Sequence, residues 1–132
     1  MKAQCQCGRL FVEVPGPSPA VVACHCVACQ RRTGSPFGVA AYYPDDQVQV
    51  TGAWVRYDRG TDLGGRFENY FCPTCGTTLF FRGSKNPGVT GVALGAFVDP
   101  HEMAPVRSVW EQTRHGWVTI PTAQQHFDRG RT

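Results

Sequence analysis

Apolar and polar residues alternate along much of this chain, in runs that are short and often interrupted. Leu10, Val12 and Val14 fall on one face of a strand predicted over Arg9 to Val14. The segment 15–19 carries three prolines, which fix φ and remove donors, and it ends that strand as a loop. Ala20 to Cys24 predicts a second short strand. Val27 to Arg32 fits a turn of helix, stopped by Gly34 at the C-terminal cap and by Pro36. Phe37 to Tyr43 reads as a strand bounded by prolines. Gln47 to Thr51 alternates, Gly52 turns the chain, and Trp54 to Tyr57 returns, so a hairpin is expected there. Further strands are predicted over Arg66 to Cys72, Thr77 to Arg82 and Val89 to Val98. The connection from Asp99 to Pro105 reads as irregular, with short edge strands at Val106 to Glu111 and Trp117 to Ile120. The glycines of 60–65 match no phosphate-binding pattern.

Many short strands separated by turn signals predict a mainly β domain. The 132 residues form one domain, 1–132, with a tail expected to fray from about residue 128. Hydrophobic content of 42% with 17% charged residues is a globular composition, not a disordered one. The net charge of +3 admits an anionic small molecule as partner. It comes without any block of like charges, which argues against nucleic acid. No apolar run reaches the roughly 18 residues of a membrane span. Nor does the N-terminus show an apolar leader, so the expected location is cytoplasmic and no membrane partner is expected.

The cysteines change this picture most. In a reducing compartment, clustered thiols read as metal ligands or catalytic groups rather than as a disulfide framework. There are seven, in three groups: Cys5/Cys7, Cys24/Cys26/Cys29 and Cys72/Cys75. Cys72-Pro-Thr-Cys75-Gly76 has the spacing of a zinc knuckle, in which a tight turn aims two sulfurs at one ion. Cys5 and Cys7, two apart on an extended chain, face one side. Together these pairs supply four thiolates, enough for a closed structural zinc site. Cys24 and Cys26 share a face by the same rule, with His25 turned to the other. Cys29 then completes a group of three ligands, and a three-ligand zinc keeps a position open for chemistry.

The order Cys5-x-Cys7-Gly8, Cys24-His25-Cys26-x-x-Cys29, Gly34-Ser35-Pro36-Phe37 and Phe71-Cys72-x-x-Cys75-Gly76-Thr77 resembles the glutathione-dependent formaldehyde-activating family. Val92-x-Leu94-Gly95 and Asp99-Pro100 extend the resemblance, which runs from about Ala3 to Trp117. It implies a β-tent, a set of small antiparallel sheets around a structural zinc on Cys5, Cys7, Cys72 and Cys75. It implies a second, reactive zinc on Cys24, Cys26 and Cys29, with glutathione as co-substrate. The implied activity is that of a carbon–sulfur lyase joining glutathione to formaldehyde to give S-hydroxymethylglutathione. Ser108 departs from the pattern, because members often carry histidine there, two residues before an aromatic.

In this reading Arg31 and Arg32, next to the three-cysteine group, are candidates to meet glutathione's carboxylates. Phe37 and Trp110 are candidate pocket walls. The partners expected are a small thiol and a small carbonyl. Two other functions fit the same residues: a zinc-stabilised binding module without catalysis, and a thiol redox protein working through Cys24, Cys26 and Cys29.

Overall fold

A computed structural model of the protein describes residues 1–99 and 103–130. Pro100 of the Asp-Pro pair, with His101 and Glu102 of the connection predicted after it, lies outside the described residues, as do Arg131 and Thr132.

Two sheets carry the fold. The smaller has three antiparallel strands, β1 (Lys2–Gln4), β2 (Phe11–Glu13) and β5 (Gln49–Thr51), in the order β1-β2-β5. The larger is built from β3 (Val21–Cys24), β4 (Gly38–Pro44), β6 (Val55–Gly60), β7 (Arg66–Phe71), β8 (Thr78–Gly83), β9 (Val89–Ala93), β10 (Arg107–Val109) and β11 (Gln125–His126). Its order is β11-β10-β3-β4-β9-β8-β7-β6. The strand pairs are antiparallel except at one end, where β10 runs parallel to both β3 and β11. The mainly β expectation therefore holds.

The alternation in β2 does what its spacing implies. Leu10, Val12 and Val14 are buried between the sheets, against Val21, Ala41, Leu79, Phe80 and Val92 of the larger one. Each such side chain contributes about 1.5–3 kcal/mol when fully buried. Tyr70 stacks flat on Phe80 within this core, ring centroids 4.5 Å apart.

Helix α1 spans Val27–Thr33. Gly34 stops it with φ of 66°, a left-handed cap that donates its N–H to the Gln30 carbonyl. Arg31 and Arg32 sit in its last turn, where cations oppose the helix dipole favourably.

Two local expectations give way to the assembly. The strands on either side of Gly52 do not form a hairpin: β5 pairs with β2, and β6 pairs with β7. Gly52 takes φ of 104° and lies against the Arg9 carbonyl, so the chain leaves one sheet there and enters the other. Trp117 to Ile120 is not a strand; Val118 and Ile120 instead bury against Ala23 behind β3. The edge is supplied by β11. The tail is also held further than expected, with Trp110 and Gln112 donating backbone N–H groups to Arg129 and Asp128.

A Cβ on Gly52 would fall 2.1 Å from the Arg9 carbonyl oxygen. Gly52→Ala should therefore cost on the order of 3 kcal/mol, from backbone strain and overpacking together. Urea denaturation measures this, and an unchanged midpoint would show that Gly52 does not set the crossover.

Candidate metal centres and cavity

The four-cysteine cluster forms where the two sheets meet. Cys5 and Cys7 occupy the tight turn after β1, which Gly8 closes with φ of 78°. Cys72 and Cys75 occupy the knuckle between β7 and β8. All four sulfurs lie within 4.8 Å of one another. Cys7 Sγ is 3.6 Å from Cys5 Sγ and 3.7 Å from Cys72 Sγ. A tetrahedron with zinc–sulfur bonds of ~2.3 Å has edges of about 3.8 Å, so the donor set suits zinc. The backbone favours thiolates here. Leu10 donates its N–H to Cys5 Sγ and Thr74 to Cys72 Sγ. The Thr77 hydroxyl, helped by backbone N–H groups, lowers the Cys75 thiol to about 5, and the Cys75 N–H lowers Cys72.

The three-cysteine cluster is built by one continuous segment. Cys24 ends β3, Cys26 is the N-cap of α1, and Cys29 lies in its first turn. Cys26 Sγ accepts the Cys29 N–H at 3.3 Å, so the helix cap and the sulfur cluster are one feature. The three sulfurs also lie within 4.8 Å of one another. Hydrogen bonds from the thiols of Cys24 and Cys29 pull Cys26 down to about 2, with the Cys29 N–H and the Arg59 guanidinium adding to the effect. Cys24 is pushed upward by the same contacts, first with Cys26 and then with Cys29. One thiolate is thus held between two thiols, a donor set suited to a soft cation.

His25 points away from this cluster. It is fully buried and its Nε2 is 2.9 Å from the Ser108 hydroxyl. Its carbonyl accepts from Gln30 Nε2 and Thr113 Oγ1, while its own N–H goes to the Val109 carbonyl. Its Nδ1 is buried without a partner among the described residues. The position where the family pattern often has histidine is thus occupied by the hydroxyl that holds His25.

A cavity of about 530 Å³ opens over the three cysteines. Arg31 and Arg32 line it, as does Trp110; Phe37 does not. Phe37 packs on the His25 ring at 5.4 Å, backing the cysteine segment from the other side. Trp110 is the one non-glycine residue in the left-handed region among the described residues, with φ of 58°. That conformation costs roughly 1–2 kcal/mol, and the Arg129 and Glu111 segments hold it through paired backbone bonds.

The wall also includes residues that local pattern does not single out. Tyr42 reaches it from β4, and burial raises its hydroxyl to about 12, so it stays a neutral hydrogen-bond donor. Arg59 and Lys85 come from β6 and the β8–β9 connection. Strand periodicity places such residues on a face but cannot say what stands opposite.

A family model described as glutathione-dependent formaldehyde-activating enzyme matches residues 1–113. The chain belongs to that family. A crystal structure of a Rhodobacter sphaeroides protein is similar to it, with a TM-score of 0.63 and 27% sequence identity over 83% of this chain and 100% of that one. The glutathione-dependent formaldehyde-activating match covers both cysteine clusters, α1, Ser108 and Trp110. The segment that buries Val118 and Ile120 behind β3 follows it. Among the described residues no helix is long and apolar enough to cross a membrane.

Ser108→Ala would leave both ring nitrogens of His25 buried without partners. The expected cost is about 1–3 kcal/mol, read by chemical denaturation. A variant as stable as the parent would show that the Ser108–His25 bond does not brace the segment.

Proposed function

We propose that the protein is a zinc-dependent carbon–sulfur lyase resembling S-(hydroxymethyl)glutathione synthase, adding glutathione or a related thiol to formaldehyde or another small carbonyl. The observation that carries this reading is the three-cysteine cluster lying at the wall of a cavity large enough for a small peptide. The four-cysteine cluster, closed by its own turns, suits a structural zinc; Cys24, Cys26 and Cys29 suit a second.

Cys24, Cys26 and Cys29 would hold the second zinc, which when bound would supply Lewis acidity that lowers the pKa of a substrate thiol. The chain's own residues do the rest. Val22, Val39 and Ala40 give the cavity an apolar side that limits water. Arg32 and Arg59 offset the negative charge that gathers around the sulfurs. In the reaction the substrate sulfur attacks the carbonyl carbon, a carbon–sulfur bond forms, and the carbonyl π pair moves onto oxygen. That oxygen then takes a proton from solvent or from a cavity-wall donor such as Tyr42. The sum is addition of S–H across C=O, with no change of oxidation state. Proximity and orientation are the main contributions asked of the protein.

Exchange of formaldehyde between its hydrate and the glutathione adduct, followed by NMR, tests this directly. The protein should accelerate exchange, and Cys26→Ser should lower the protein-dependent rate on the order of 100-fold. Exchange no faster with protein than without it would overturn the lyase reading and leave a binding module. Metal analysis should find two zinc ions in the parent and one in Cys26→Ser. Removal of the tightly held ion should abolish the cooperative melting transition, because a structural zinc contributes ~10–16 kcal/mol of apparent binding energy to folding. A chelated protein that melts as before would remove the four-cysteine cluster from this role.

A further inference from the structure

The cavity floor carries two arginines mounted on two aromatic rings. Phe67 of β7 and Phe81 of β8 stack with centroids 5.7 Å apart. The Arg32 guanidinium lies 4.3 Å from the centre of Phe81, and that of Arg59 lies 4.8 Å from the centre of Phe67. All four residues line the cavity. Arg59 stands directly across from Phe67 in the β6–β7 pair, so the sheet register fixes that contact.

Neither guanidinium is engaged by a carboxylate among the described residues. Arg32 Nε is buried with no hydrogen-bond partner, and Arg59 makes one long bond, 3.4 Å, to the Gly60 carbonyl. The neighbouring arginines differ. Arg66 is paired with Asp58, and Arg56 with Asp58 and Glu68. Gly38 makes room for Arg32, since a Cβ there would fall 2.5 Å from Arg32 Nη2. An arginine parked on a ring keeps its N–H edge free, and that edge matches the two oxygens of a carboxylate. Guanidiniums that line a cavity and meet no carboxylate among the described residues leave N–H groups to which a ligand's oxygens can bond.

We infer that Arg32 and Arg59, set on Phe81 and Phe67, form a subsite for two carboxylates of one ligand, so that the cavity selects thiols carrying two negative ends. This rests on the reading of the cavity as a thiol site and adds its selectivity. Arg31, exposed on α1 and stacked on no ring among the described residues, is not part of it. Arg32 and Arg59 are specificity-determining residues in this assignment, through the carboxylates they would hold.

The test uses the zinc-loaded protein and S-methylglutathione, whose blocked sulfur cannot react. Calorimetry should show binding of S-methylglutathione and at least ~10-fold weaker binding of its diethyl ester. Arg59→Gln should weaken S-methylglutathione by about the same factor and leave the ester unchanged. Arg56→Gln, outside the cavity lining, should alter neither. Equal affinity of acid and ester for the parent protein would overturn the subsite whatever the variants do. So would a loss in Arg59→Gln that is the same for both ligands. Because the probe cannot react, a protein that binds it selectively yet does not accelerate formaldehyde exchange keeps the subsite and loses the lyase. Accelerated exchange with acid and ester bound alike does the reverse.

Discussion

Four sulfur atoms from chain segments 65 residues apart meet within bonding range of a single ion, and the fold is arranged so that they can. One pair is delivered by the first turn of the small sheet, the other by the knuckle between β7 and β8, near the β6 edge of the large sheet. Their meeting fixes the distance between the sheets at that corner. The apolar core fills the space this leaves. Loop entropy grows only slowly with separation, so so distant a pairing is tolerable once the sheets lie together. A fold dominated by non-local strand contacts gains more from such a clamp than a helical one would.

The second cluster depends on the first at one remove. Its three sulfurs come from a single turn of chain, and they need no distant partner to converge. What they do need is a wall. That wall is made by β4, β6, β7 and β8, whose mutual register the clamp helps to hold. His25 and Ser108 brace the same segment from behind, tying it to the parallel strand β10. The three-cysteine segment, which runs into a short helix, is thus pinned from below by a hydrogen bond and faced from above by the rings of another sheet region.

Much of this was readable in the chain itself, for identifiable reasons. Period-two alternation located β2 and its buried face. Gly34 and Pro36 marked the end of α1. Cysteine spacing divided the sulfurs into a group of four and a group of three, and the same period-two rule turned His25 away from them. Pairing was not readable, because strand partners are chosen by the assembly. Gly52 looked like a hairpin turn, yet it sends the chain from one sheet to the other. Val118 and Ile120 looked like a strand face and instead fill a gap behind Ala23. Arg59 carried no local signal at all. Its meaning comes from Phe67 across the ladder, and Phe67's from Phe81.

Helix α1 carries two cysteines of the three-sulfur cluster at its start and Arg32 near its end, within seven residues. These groups share one rigid body, so a change that tilts the helix moves the cysteine cluster and the Arg32 guanidinium together. Arg59 sits on a different strand and is free of that linkage. Divergence of ligand preference within this architecture therefore has an easy route and a hard one. Change along the edge strand can reshape the Arg59 side of the cavity while the cysteine cluster stays intact. Drift in the helix puts both at risk in a single step.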